Sequence, residues 1–291
     1  AVLLSLLSCR RSSSLLPELL RADSLCECAP DRALLLLDSL RPFVDARPQS
    51  VRMHYALLRI KAADKADVPI TSDSAIRPVL RYYEHGEGDP LLLPEALYYG
   101  GRTYRELGDA PQALDYFDRA INALPDGVDD GLKSNIYSQR GQLFIFQEMY
   151  PEAREMFQKA LQCALRVEDS LKIAYAYSDI GFCYRAEKQM DSALIYQDKA
   201  YPIAHKLGGE ILLAAQITRA GLFLRTQRYD SVWAAIGPYF PFERVKAKEH
   251  RSALYSIALD YYRETGKRDS ALYCAKALLT TGTVYAKEKA Y

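Results

Sequence analysis

Small apolar residues return along this chain at a nearly fixed interval. Ala33, Ala75, Ala113, Ala153, Ala193, Val232 and Ala271 are separated by 42, 38, 40, 40, 39 and 39 residues. Two positions before each stands Asp or Pro: Asp31, Asp73, Pro111, Pro151, Asp191, Asp230 and Asp269. An Asp accepts hydrogen bonds from the free N–H groups at a helix start, and Pro is tolerated in the first turn. The pattern predicts seven helices that begin in the same way. A second series, Gly101, Gly141, Gly181, Ala220 and Leu259, is followed three residues later by Tyr104, Phe144, Tyr184, Phe223 and Tyr262. It predicts a partner helix before each of the later starts. A period of this length marks a repeat architecture of stacked helix pairs.

The clearest unit spans residues 97–125 and carries Leu97, Gly101, Tyr104, Gly108, Ala113, Phe117, Ala120 and Pro125. Gly101 and Ala113 are small enough for two helix backbones to approach closely, while Tyr104 and Phe117 fill the space beside them. Ala120 leaves room for the next unit, and Pro125 stops the second helix. These residues, in this order, resemble the tetratricopeptide repeat (TPR). The resemblance implies an all-α fold, an α-α superhelix of about seven helix-turn-helix repeats of about 40 residues. Agreement is tightest in repeats three to five, and Leu259 departs from the small residue in the last pair. A period near 40 instead of 34 predicts longer helices or connections. Residues 65–73 read as a long connection inside the second pair. The segment 237–242 ends the sixth pair early and offers Tyr239, Phe240 and Phe242; packing against neighbours is favoured over partner contact.

Composition narrows the function. Lys and Arg total 38 against 37 Asp and Glu, which argues against the basic face of a nucleic-acid binder. The six cysteines form no CxxC pair and have no His at zinc spacing, so no metal site is expected. Cys26 and Cys28 point in different directions on a helix, and Cys163, Cys183 and Cys274 suit buried apolar positions. The opening residues Leu6-Leu7-Ser8-Cys9, followed by Arg10, Arg11 and three serines, resemble the end of a bacterial lipoprotein signal. Residues 1–8 are therefore expected to be a signal remnant, 9–12 a polar tether lipidated at Cys9, and 13–291 the repeat array. Residues 284–291 read as an incomplete further helix.

The TPR resemblance places the inward-facing residues of each first helix on a concave surface. Repeat three then offers Tyr98, Tyr99, Arg102 and Arg105. Repeat four offers Asn135, Ser138, Gln139 and Gln142; repeat five offers Tyr175, Ser178, Asp179, Phe182 and Arg185, and repeat six adds Thr218. Amides match the regularly spaced donors and acceptors of an extended peptide, and the arginines match a carboxylate. A solvated face with Arg102 and Arg105 paired to Glu95 and Glu106 is the plainer alternative. The Lys/Asn carboxylate clamp of chaperone-binding TPR proteins is not present in this set. No phosphate-binding glycine loop occurs, and His54, His85, His205 and His250 have no nucleophile in register. No catalysis and no cofactor are expected.

The expected function is a protein- or peptide-binding scaffold, resembling the exported TPR proteins common in Bacteroidetes. That resemblance implies the sensing or interaction part of a signalling or envelope protein, on the periplasmic face or as an outer-membrane lipoprotein. Membrane contact is expected only through Cys9. A glycan-binding lipoprotein and a cytosolic peptide-pheromone receptor remain alternatives.

Overall fold

The computed structural model describes residues 15–125 and 129–281, which form fourteen α-helices and no strand. They fall into seven consecutive pairs. These are α1 (Leu15–Cys28) with α2 (Pro30–Leu40), α3 (Gln49–Lys65) with α4 (Ile76–Glu84), and α5 (Leu93–Glu106) with α6 (Ala110–Ala123). There follow α7 (Asp130–Phe146) with α8 (Tyr150–Arg166), and α9 (Ser170–Ala186) with α10 (Met190–Leu207). The last are α11 (Gly209–Arg225) with α12 (Tyr229–Ile236), and α13 (Lys248–Glu264) with α14 (Arg268–Thr281). The array is thus an α-helical solenoid of seven repeats. Helices of 17 residues in α7, α8, α9, α11 and α13 account for the long period. Cys9, the tether at 9–12 and residues 284–291 lie outside the described residues.

From the third pair onward one turn is used five times. The backbone N–H groups of Asp109, Met149, Gln189, Arg228 and Lys267 donate to the carbonyls of Tyr104, Phe144, Tyr184, Phe223 and Tyr262 at 2.8–2.9 Å. Each bond spans five residues and closes the helix end. The residue before each donor is left-handed: Gly108 (φ +80°), Glu148 (+58°), Lys188 (+62°), Gln227 (+57°) and Gly266 (+73°). Asp109 also caps α6, accepting from the Gln112 N–H at 3.1 Å.

Packing follows the small residues. Ala33, Ala113, Ala153, Ala193 and Val232 are fully buried, and Phe117 and Phe157 fill the adjoining core. A Cβ on Gly101 would collide with the Phe117 ring, so this glycine is required by a close helix approach. Tyr104 stacks on Tyr116 at 5.4 Å and donates to Asp73 at 3.0 Å. In the second pair the expected small position shifts by one. Ala75 is exposed, while Ile76, Leu80 and Tyr83 are buried in the spacing of Ala113, Phe117 and Ala120. The long connection explains the slip, because α4 starts only at Ile76. Gln197 takes the place of Phe117 and Phe157 in the fifth pair. It is buried, and its Nε2 donates to the Ser178 carbonyl at 3.2 Å.

The chain divides into two compact units, residues 1–143 and 144–291. The first has a core around Leu19, Leu37 and Leu58 and another around Leu80, Tyr99 and Phe117. The second has a small cluster around Ala153 and Phe157 and a larger one around Val232, Phe242, Leu254 and Cys274. The segment after α12 packs inward only in part, since Phe240 stays exposed and Tyr239 half-buried. Phe242 is fully buried against Tyr255, with ring centroids 5.1 Å apart, and Phe240 meets Trp233 at 6.2 Å.

Candidate functional site

In the first unit, charged residues of α1, α3 and α5 form a closed network. Lys61 of α3 is buried and meets Asp23 at 2.8 Å, Glu95 at 2.9 Å and Glu27 at 3.4 Å. Burial works against its ammonium, but Glu95 and Asp23 outweigh that and push its pKa up. Burial pushes the Glu95 carboxyl above the usual range, and Lys61 reverses this only in part. Glu27 also receives Lys65 at 2.9 Å. Further along, Arg102 binds Asp64 at 2.6 Å and Gln139 at 2.9 Å, while Arg105 bonds to Gln139 and meets Glu106 at 2.5 Å.

The expected site residues therefore separate. Tyr98 and Tyr99 are core residues, buried edge to face with centroids 5.0 Å apart, which corrects their expected place on an open groove. They sit where α5 packs on its neighbours. Arg102, Arg105 and Gln139 are brought together, but on one another and on Asp64 and Glu106. Glu95, expected beside the arginines, pairs with Lys61 because it lies about 10 Å down the helix axis from Arg102. Asn135 and Gln142 are half-buried on α7. On α9, Tyr175 is exposed, Asp179 is half-buried, and the Arg185 guanidinium lies 4.9 Å from the Phe182 ring centroid.

The open site lies elsewhere, in the second unit. A channel of about 540 Å³ runs along the first helices of repeats five to seven, α9, α11 and α13. Ile217, Leu224, Ala253 and Ile257 give it apolar walls, and Thr218, Ser252 and Ser256 bring hydroxyls. Arg185 and Arg225 stand near the C-terminal ends of α9 and α11, whereas Glu249 stands at the start of α13. Asp260 lies between these levels, eleven residues or about 16 Å along the axis from Glu249. The channel thus holds Arg185, Arg225 and Asp260 toward one end and Glu249 at the other, with apolar walls between.

Gly221 opens the floor of this channel. A Cβ there would meet no atom within 4 Å, in contrast to Gly101 and to Gly181, whose Cβ would lie 3.0 Å from Gln197. Gly in a helix interior costs about 1 kcal/mol relative to Ala, and no packing contact requires it here. Of the residues expected on the basis of sequence, Arg185 and Thr218 reach the channel; the others lining it were missed. The missing signal was the register itself. The inward position occupied by Arg102, Gln142 and Phe182 continues at 39-residue steps to Gly221 and Asp260. Among the described residues, no group of three His, Cys, Asp or Glu side chains is placed to hold a metal, and no helix is long and apolar enough to cross a membrane.

A stack of helix pairs with a channel along its first helices defines a helical-repeat solenoid. Residues 95–127 and 132–206 each match the family description "Tetratricopeptide repeat", and this chain is a TPR protein. It is similar to response regulator aspartate phosphatase A of Bacillus subtilis, 31% identical over 85 residues. That stretch covers 29% of this chain and spans 22% of the relative's length. The fold resembles a signal transduction ATPase with a TPR sensor from Pyrococcus horikoshii (TM-score 0.70, 12% identity, 89% of this chain and 41% of that one). It also resembles aspartyl phosphate phosphatase F of Bacillus subtilis (TM-score 0.62, 13% identity, 96% and 78% of the two chains).

Proposed function

We propose that this chain is a non-catalytic scaffold that binds a peptide segment in the channel of repeats five to seven. The carrying observation is the channel itself, with apolar walls, Arg185 and Arg225 beside Asp260 toward one end and Glu249 at the other. A peptide with an acidic group toward Arg185 and Arg225, an apolar middle and a basic group or free amine toward Glu249 complements it in charge and direction.

The test is selection from a random dodecapeptide display library on the purified chain, followed by anisotropy titration of the enriched peptides. The expected consensus joins an acidic residue to an apolar one, and the Arg185→Ala/Arg225→Ala variant binds at least about tenfold more weakly. Enriched peptides that bind this variant as tightly as the parent would place the site elsewhere.

We further propose that the array works at the cell envelope, tethered through Cys9, as the interaction part of a signalling protein. The support is the Leu-Leu-Ser-Cys sequence. A cytosolic peptide receptor is the second reading, favoured by the likeness to the two Bacillus subtilis phosphatases. Labelling cells with a palmitate analogue and fractionating them separates the two. A membrane-bound product that loses its label in Cys9→Ala supports the first reading; an unlabelled cytosolic product supports the second.

A further inference from the structure

We propose that Gly221 is the specificity-determining position of the channel, the seat on which one apolar side chain of the bound peptide rests. This rests on the peptide-binding reading above. At the same inward register, repeats three, four, five and seven carry Arg102, Gln142, Phe182 and Asp260. Repeat geometry therefore accepts a long side chain there, and repeat six alone among these five leaves the place empty. Packing does not ask for the gap, since no atom lies within 4 Å of the missing Cβ. Nor does the backbone, because Gly221 sits within α11 and is not among the glycines of positive φ.

A glycine that neither packing nor conformation requires marks close approach by something outside the fold. Its surroundings say what. Ile217 and Leu224 lie one turn to either side on α11, and Ala253 and Ile257 form the facing wall from α13. An aliphatic or aromatic side chain is the group that such walls desolvate at no polar loss. The charge of Arg225, four residues further on and exposed, places an acidic residue of the peptide beside that apolar one. The occupant is therefore a peptide with an apolar anchor next to an Asp or Glu.

The experiment uses the full chain with Gly221→Ala, Gly221→Leu and Gly221→Gln, the last being the residue of repeat four. The probes are the library-enriched peptides, each also made with its apolar anchor replaced by Ala. Gly221→Leu and Gly221→Gln are expected to weaken the parent peptide at least about tenfold, and Gly221→Ala about threefold. Replacing the anchor should cost the wild-type protein about tenfold but Gly221→Leu less than about twofold, because the seat is already filled. Gly221→Ala should raise Tm by about 2 °C, which separates occlusion from misfolding. Equal affinity of wild type and Gly221→Leu, or the same anchor penalty on both, overturns the proposal. If the arginine double variant weakens binding while all Gly221 variants bind normally, the channel reading stands and the seat does not. If no peptide is enriched on the wild-type chain, both fall.

Discussion

Replacing Lys61 by Met removes the centre of the charged network while keeping the volume of the side chain. Removing one partner of a buried ion pair typically costs about 3–5 kcal/mol, because a charge is left without compensation. Here Asp23 and Glu27 are 41% and 57% exposed and regain water, whereas Glu95 is only 22% exposed. The loss therefore reduces to the stranding of one carboxylate, about 2–3 kcal/mol at pH 8. At about 2–4 °C per kcal/mol for chains of this size, Tm should fall by about 5–10 °C. The pH dependence supplies the sharper check. Burial already raises the Glu95 carboxyl, and deleting Lys61 removes the group that pulls it back. A carboxyl raised in the folded state stabilises the fold below its unfolded pKa of about 4.3, and that contribution is lost as pH rises through the folded value. The deficit of Lys61→Met should accordingly shrink between pH 8 and pH 5. Thermal and urea unfolding followed by far-UV circular dichroism measures both, and Lys61→Met/Glu95→Gln should recover more than half of the loss. A deficit under about 0.5 kcal/mol at pH 8, or one that is equal at both pH values, refutes the reasoning.

Other substitutions test the packing. Gly101→Ala should lower stability by about 1–3 kcal/mol by pressing on Phe117, whereas Gly221→Ala should raise it by about 1 kcal/mol; parallel melts compare the signs. Gln197→Leu should be neutral or stabilising by about 1 kcal/mol, since the Gln197 Oε1 has no hydrogen-bond partner in its buried place; urea midpoints decide. Burial pushes the thiols of Cys26 and Cys274 up to about 11 and that of Cys183 to about 12. Their contribution is present below the unfolded pKa of about 8.5 and is lost as pH rises through the folded values, so Tm should decline from about pH 8.5 upward. At neutral pH a thiol reagent should modify exposed Cys28 well before these three.

The repeat was legible because its determinants are steric and local. Ala113, Gly101 and Phe117 must be small or large where two helices cross, and a small residue recurs at the Ala113 position in six of the seven pairs. Where a long connection intervened, periodicity failed by one residue and chose Ala75 over Ile76. The open part of the site was much less legible. Arg102, Arg105 and Gln139 look like peptide-binding groups when read singly; the plainer reading foresaw the Arg105–Glu106 pair, but only geometry shows Arg102 on Asp64 and both arginines on Gln139. The channel turned on the opposite kind of residue. Gly221 matters for what it lacks, and the absence of a side chain carries meaning only once the empty space around it is seen.

The turn shared by the five later pairs has a consequence for how such a chain can change. Its closing bond joins backbone atoms only, and its left-handed residue is glycine in two cases and Glu148, Lys188 or Gln227 in the rest. A duplicated stretch of 39 or 40 residues therefore arrives with its own turn, whatever side chain stands at the left-handed position. Each copy would add one row to the channel at the register of Gly221 and Asp260. Ligand length and ligand chemistry can then evolve separately, the first by copying whole units and the second by single substitutions along that row.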